Sequence, residues 1–260
     1  MILDEIIANK KNELQQAKQS TPLAHLERAL ADVPPAGDFQ GALDRPGRVR
    51  LIAEIKRASP SAGLIASDLK PADHAVLYKR AGADALSVLT DSKYFRGSLA
   101  DLKDAKRAAR LPTLRKDFIV DPYQILEARA FGADAILLIA RVLDANLIQE
   151  LMNVARRHRM CSLVEVHNEG DLETALRTDV RLIGINNRDL DTLEIDLATT
   201  DRLVPLIPRD RLIVSESGIS QPEEVRHLRE LGVSAILVGQ SILQSSDPRQ
   251  KLRQLLAASK

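Results

Sequence analysis

Charged residues stand at the ends of short apolar runs in five places, and their types make an acid–base set. Glu54 and Lys56 close R-L-I-A-E-I-K (50–56), Lys116 closes T-L-R-K, Glu165 follows S-L-V, Asn186 and Arg188 end G-I-N-N-R, and Glu216 follows L-I-V-S. In a strand, residues two apart share a face, so Glu54 and Lys56 stand with Ile52 while Ala53 and Ile55 take the other side. Two lysines, an arginine and three glutamates in one place could protonate an oxygen, accept a proton and hold an anion. Any single charge of this kind could equally be a solvated strand end or half of a structural ion pair. Six of them on five strands favour a site, because charges taken into apolar surroundings cost several kcal/mol each unless paired. Two lysines in one partly buried site are expected to lower each other's pKa.

A frame must bring those strand ends together. Three segments resemble one another, RAGADALSVLT (80–90), AFGADAILLIA (130–140) and ELGVSAILVGQ (230–240), with Gly82, Gly132 and Gly232 separated by 50 and 100 residues. A unit of about 25 residues fits that spacing and suits one strand plus one helix. Strands are expected at 51–56, 85–90, 112–116, 134–139, 161–166, 181–187, 211–216 and 235–239. Helices are expected at 71–81, 98–109, 122–131, 144–158, 168–177, 196–204, 222–231 and 248–257. Asp121-Pro122, Gln221-Pro222 and Asp247-Pro248 are helix starts, with Pro at the first helical position. The strands are short and rich in Val, Ile and Leu, as parallel strands covered by helices should be. Eight such pairs indicate an α/β fold, a (βα)₈ barrel, whose active-site mouth lies at the C-terminal ends of the strands. A doubly wound open sheet is the rival, but neither G-x-G-x-x-G nor G-x-x-x-x-G-K-S/T occurs. Residues 2–18 and 22–31 read as helices, and 34–37 and 45–48 as loops. Residues 1–50 are thus a helical extension that caps or flanks one barrel domain covering 1–260.

Other features refine the mouth. After the seventh strand comes S-E-S-G-I, and after the eighth V-G-Q-S-I-L; in many barrels these two loops hold a phosphate through backbone N–H groups. Gly218 and Gly239 would allow that close approach, and Ser217 and Ser241 could add hydroxyl donors. The loop R-A-S-P-S-A-G (57–63) is long enough to move over the mouth, though its residues also suit an ordinary turn. Phe95, Phe118 and Leu137 lie at or just past strand ends and could line an apolar pocket or merely pack. His25, His74, His158 and His227 fall on helices without metal-ligand spacing, and His167 shares a face with Glu165 but reads as an incidental loop residue. Cys161, the single cysteine, excludes an internal disulfide and reads as a core residue. A net charge of +1, 3% aromatics and no Trp leave no nucleic-acid footprint, and no apolar run is long enough to span a membrane. The default is a cytoplasmic protein acting on small molecules.

E-I-K-R-A-S-P-S, S-V-L-T-D-x-K-Y-F-x-G-S, L-R-K-D-F-I-V-D-P-Y-Q-I, L-V-E-V-H, I-G-I-N-N-R-D-L, S-E-S-G-I and V-G-Q-S together resemble indole-3-glycerol phosphate synthase. The opening I-L-D-x-I-x-x-x-K resembles it too, so the likeness runs from about residue 2 to the last helix. It implies a lyase of tryptophan biosynthesis that turns 1-(2-carboxyphenylamino)-1-deoxyribulose 5-phosphate into indole-3-glycerol phosphate, losing CO₂ and water, with no metal or organic cofactor. By the same resemblance, Lys116 is the general acid and Glu165 serves the later proton transfers. Lys56 holds the substrate carboxylate or phosphate and shares the acid role. Glu54, Asn186, Arg188 and Glu216 complete the polar shell. Ser217, Gly218, Gly239 and Gln240 surround the phosphate, and Pro60, Phe95, Phe118 and Leu137 contact the aromatic ring. The chain departs from the family pattern at Gln240, where many members have Glu or Ser, and at Ala62, where Lys is frequent. The expected partner is a small phosphorylated substrate, without nucleic acid or membrane, for a monomer or weak homodimer. Two other readings are another phosphate-sugar barrel enzyme such as phosphoribosylanthranilate isomerase, and a phosphate-metabolite-binding barrel that has lost catalysis. The first would normally pair a Cys or Asp base with an Asp acid, and the second would leave a gap at Lys116 or Glu165.

Overall fold

The protein is described as a computed structural model over residues 2–260; Met1, which opens the extension, lies outside the described residues. Eight strands close a parallel barrel: β1 (Arg50–Ile55), β4 (Ala85–Leu89), β5 (Thr113–Lys116), β6 (Ala135–Ile139), β7 (Cys161–Val166), β8 (Leu182–Asn186), β9 (Leu212–Glu216) and β10 (Ala235–Val238). Two-residue strands β2 (Ala58–Ser59) and β3 (Gly63–Leu64) form an antiparallel hairpin after β1, so the loop expected over 57–63 carries its own pairing. The barrel helices are α4 (Pro71–Ala81), α5 (Leu99–Ala109), α6 (Pro122–Ala130), α7 (Ala145–Arg157), α8 (Glu169–Leu176), α9 (Ala198–Leu203), α10 (Pro222–Glu230) and α12 (Pro248–Ala258), with α11 (Gln240–Leu243) a short extra turn after β10.

Local chemistry accounts for these boundaries. Pro opens α4, α6, α10 and α12, where its missing N–H has no intrahelical role. Asp121, Asn168 and Asp247 accept backbone hydrogen bonds as N-caps of α6, α8 and α12. Gly82, the first glycine of the repeat, ends α4 at φ 106°, a left-handed cap that favours glycine.

The strand period of two sorts side chains into two cores. Leu51, Ala53, Ile55, Leu86, Val88, Ile136 and Leu138 pack outward under the helices. Ile52, Ala85, Leu114, Leu137, Leu163, Leu182, Val214 and Leu237 fill the lumen. One pleat further along the same lumen-facing rows come Glu54, Lys116, Glu165 and Glu216, so the pattern that fills the barrel with aliphatics also aims four charges at its mouth. Lys56 lies one residue beyond β1, at the rim.

The extension straps the barrel from mouth to base. Helix α1 (Ile2–Ser20) places Lys10 Nζ 2.8 Å from Asp91 and 3.0 Å from Asp117, residues that follow β4 and β5. Tyr123 Oη donates to the carbonyls of Ala17 and Thr21 at 3.0 and 2.8 Å, and α2 (Leu23–Leu30) then packs along α6. The Gly37 N–H donates to Asp134, at the entrance to β6, at 2.6 Å. The short α3 (Phe39–Leu43), unexpected from sequence, buries Phe39 and Leu43 among lumen residues. Five residues are too few for helical periodicity to show; Asp38, whose carboxylate accepts from Gly41 N–H at 2.7 Å, caps the turn instead.

Candidate active site

The lumen charges meet around Lys116. Its Nζ donates to Glu165 Oε2 at 2.9 Å and lies 3.5 Å from Glu216 Oε2, an ion contact off hydrogen-bond geometry. Lys56 Nζ is paired instead with Glu54 Oε1 at 2.5 Å. Glu165 and Glu216 are each 1% exposed. Burial alone would pull the Lys116 ammonium down, but Glu165, Glu216 and Glu54 outweigh it and raise its pKa above the ordinary lysine range. The expectation that two lysines would lower each other's pKa is therefore overturned for Lys116, because carboxylates are what face it.

The two glutamates beside Lys116 are driven apart. Burial works against ionisation of both, yet Lys116 and the neighbouring His167 hold Glu165 below the ordinary carboxylate range. Glu216 is pushed up by burial and by the charges of Glu165 and Glu54, against the pull of Lys116. Neither of its carboxyl oxygens has a hydrogen-bond partner among the described residues. One carboxylate and one protonated carboxyl beside the same ammonium make a base and a potential donor from one residue type.

Two glycines make room for these side chains. A Cβ on Gly239 would lie 2.8 Å from Glu54 Cβ and closer still to its Oε1. A Cβ on Gly184 would run into Glu216 Oε1 and sit 3.2 Å from Leu163 Cδ1. The glycine at 239, expected for close approach of a phosphate, is thus required by Glu54 as well.

The next loops form the other wall. Asn186 Oδ1 accepts from Arg188 N–H at 3.0 Å and from Ser217 Oγ at 2.8 Å, and Arg188 Nη1 donates to the Leu193 carbonyl at 2.8 Å. Ser241 Oγ donates to the Ile219 carbonyl at 2.9 Å. Both serine hydroxyls expected as phosphate donors therefore spend their protons inside the protein. Asn187, unremarked in the sequence, is buried on the opposite face; its amide donates to Ser215 Oγ and to the carbonyls of Glu216 and Ser217, tying the β8 loop to β9. Arg141, just after β6, pairs with Asp191 across the rim.

A cavity of about 320 Å³ collects these groups. Lys116, Glu165, Lys56, Glu54, Asn186, Arg188 and Glu216 line it, as do Ser217, Gly218, Gly239 and Gln240 near its α11 side. Pro60, Phe95, Phe118 and Leu137 line it too, so the residues expected to act on the substrate, hold its phosphate or contact its ring all border one space. The Phe95 and Phe118 rings stand 6.2 Å apart at 41°, an aromatic wall beside the charges. Leu3 and Ile6 of α1 also line the cavity; both stand in the opening I-L-D-x-I-x-x-x-K, though neither was assigned to the site.

Behind Lys116 lies a second charge network. Asp117 meets Lys10 at 3.0 Å and Arg115 at 3.0 Å, accepts from Thr90 Oγ1 at 2.6 Å, and has its pKa lowered to about 2 because these cations and the hydroxyl overcome its burial. His167, read as incidental, has its Nε2 3.3 Å from Glu165 Oε1. Cys161 is packed against the lumen cluster, and burial pushes its thiol up to about 12.

Comparison with known proteins adds the following. The sequence profile described as indole-3-glycerol phosphate synthase matches residues 3–255. The chain is 49% identical over 261 residues to the indole-3-glycerol phosphate synthase of Dehalococcoides mccartyi (strain CBDB1), covering 98% of this chain and 100% of that one. It is 47% identical over 260 residues to indole-3-glycerol phosphate synthase 2 of Ralstonia nicotianae, covering 99% and 97%. Among solved structures, 3-hexulose-6-phosphate synthase from Salmonella typhimurium superposes with a TM-score of 0.65 at 15% identity, over 81% of this chain and 98% of that chain, a likeness of fold alone.

Proposed function

The chain belongs to the indole-3-glycerol phosphate synthase family, and from that premise we propose how its barrel mouth carries out the synthase reaction. The substrate, 1-(2-carboxyphenylamino)-1-deoxyribulose 5-phosphate, loses CO₂ and water as a five-membered ring closes. The ring carbon bearing the carboxylate attacks the ribulose carbonyl, whose oxygen gathers negative charge and must receive a proton. Lys116, kept charged by its carboxylate neighbours, donates to that oxygen. Loss of CO₂ returns the bonding electrons to the aromatic ring. The new hydroxyl then leaves as water, which needs a second proton donor and a base for the neighbouring carbon. Glu165 is the ionised group placed to act as that base, and Glu216 is the neutral carboxyl beside it.

The remaining residues bind and orient. Lys56 and Arg188 supply the cations for the substrate's carboxylate and polar chain, with Lys56 held at the rim by Glu54. The phosphate lies against Ser217, Gly218, Gly239 and Gln240, where the first amides of α11 have no acceptor within the helix. Phe95, Phe118, Leu137 and Pro60 flank the anthranilate ring. No step calls for a metal or organic cofactor. The reaction makes the protein a carboxy-lyase, working in the cytoplasm as a monomer or weak homodimer.

The observation that carries this reading is Lys116 held at 2.9 Å by one buried glutamate and 3.5 Å by another, beside an aromatic wall. The test supplies the carboxyphenylamino-deoxyribulose phosphate and follows indole fluorescence. Lys116→Ala and Glu165→Gln should each lose most turnover while keeping the native circular-dichroism spectrum. Near-native turnover in either variant sinks the assignment, as does absence of signal from micromolar wild type.

A further inference from the structure

One buried ionisable group beside the reacting cluster has no part in the scheme above. His167 follows β7 by one residue and is as buried as the glutamate it faces, each side chain having 2% exposure. Its Nε2 stands 3.3 Å from Glu165 Oε1, off the angle of a full hydrogen bond and without another partner among the described residues. Glu165 Oε2 is the oxygen that receives the Lys116 proton donor, so the two cationic side chains divide the carboxylate between them.

The imidazole is fixed from behind. Asp171, in the first turn of α8, accepts from the His167 backbone N–H at 3.0 Å and lies 3.3 Å from its Nδ1. The Asp171 N–H is itself held by Asn168 Oδ1, the N-cap of α8, at 2.9 Å. A cap, an aspartate, an imidazole and a glutamate therefore form one tethered row from the helix start to the cavity.

Resting on the function proposed above, the geometry points to His167 as a positioning residue: clamped by Asp171, it keeps Glu165 oriented and ionised beside Lys116. The need arises from crowding. Lys116 is shared between Glu165 and Glu216, because Lys56 is taken by Glu54, so one ammonium serves two buried carboxyl groups. Glu165 and Asp171 are the charged groups that face His167. Burial would drive its ring neutral, but the neighbouring carboxylates of Asp171 and Glu165 raise it to about 9, leaving the cationic form at neutral pH.

The test separates ionisation from mere packing. In His167→Gln, the acid limb of the kcat profile should move to higher pH by about one unit or more, since a cation within hydrogen-bond reach of a carboxylate is lost. Turnover should match wild type once pH lies above the shifted acid limb, with KM changed by less than about twofold. An unmoved limb, or a loss of kcat equal at every pH, overturns the proposal. A measurement that needs neither substrate nor a folded variant at position 167 is the proton NMR titration of the five histidine rings in wild type and Glu165→Gln. One ring should stay protonated past neutrality and titrate about one unit lower when Glu165 is neutralised; five rings with unchanged titrations overturn the clamp. A wild-type chain without turnover, or a fully active Glu165→Gln, refutes the underlying functional reading, whereas a flat pH response in His167→Gln with normal wild-type turnover refutes this proposal alone.

Discussion

Gly239→Ala separates two reasons for a glycine at the mouth. The added Cβ would stand 2.8 Å from Glu54 Cβ, where ordinary contact begins at 3.4 Å, and would overlap Glu54 Oε1 more severely. Val238, the preceding residue, is paired in register with Ala53 of β1, so neither backbone can retreat without straining the barrel. The displacement required is therefore more than about half an ångström, most of it borne by the Glu54 side chain and hence by its 2.5 Å contact with Lys56. Misplacement on the order of 1 Å costs about 100-fold in rate, so kcat should fall roughly 10- to 100-fold. Overpacking of this kind costs about 1–3 kcal/mol of stability. If the glycine served phosphate approach alone, KM would rise and kcat would hold. The decisive assay is a double-mutant cycle with Glu54→Ala, read by fluorescence kinetics and chemical denaturation. With the carboxylate gone, Gly239→Ala should cost markedly less additional kcat than it costs alone. Strict additivity of the two substitutions, or a pure KM effect of Gly239→Ala, would refute the reasoning.

Glu216→Gln mimics the protonated carboxyl and should gain stability relative to wild type as pH rises. The native pKa is raised, so the stabilising contribution of the wild-type group is complete below its unfolded value and is lost as pH climbs through the folded one. Denaturation midpoints at pH 5 and pH 9 check this, and a constant difference between the proteins would count against a neutral Glu216. Asp117→Asn should behave oppositely: the native carboxylate, lowered to about 2 from 3.8, contributes roughly 2 kcal/mol at neutral pH, lost as pH falls toward 2. The Asn variant should accordingly be less stable at pH 7 and converge on wild type in acid, as followed by thermal melts. Lys10→Met leaves buried Asp91 without its 2.8 Å cation and should destabilise the protein by about 3 kcal/mol, with KM raised as α1 loosens over the cavity. Unchanged stability there would show that α1 is not tied by this pair.

Sequence reading reached the barrel because covered parallel strands are continuous apolar runs, and the period of two then orients every residue on them. It put Glu54, Lys116, Glu165 and Glu216 at the C-terminal ends of strands, and the structure shows that the same period aims them into the lumen. His167 obeyed the same rule and was seen to share a face with Glu165. What stayed hidden was Asp171, which reaches back from the next helix and turns a loop histidine into a fixed one. Lys10 shows the same limit over a longer span, since nothing in a helical pattern near the N-terminus announces two aspartates beyond β4 and β5. The misjudged lysine pKa has a related cause: the sign depends on how many carboxylates face each ammonium, and the sequence gives the inventory without the pairing.

That pairing is what lets one residue type fill several roles. Glu54 is taken by Lys56, Glu165 by Lys116 and His167, and Glu216 is left with a cation 3.5 Å away that is already committed elsewhere. A carboxyl that cannot secure a cation in a buried site keeps its proton, so the protonation pattern follows from unequal access to the cations. Gly184 and Gly239 are part of this arrangement, because each leaves room for a carboxyl group that a larger residue would displace. Lys116 is the member whose removal disturbs most of it: without the ammonium, Glu165 would lose its hydrogen-bonded cation and Glu216 its only close one among the described residues, and the distinction between base and donor would weaken together with the acid itself.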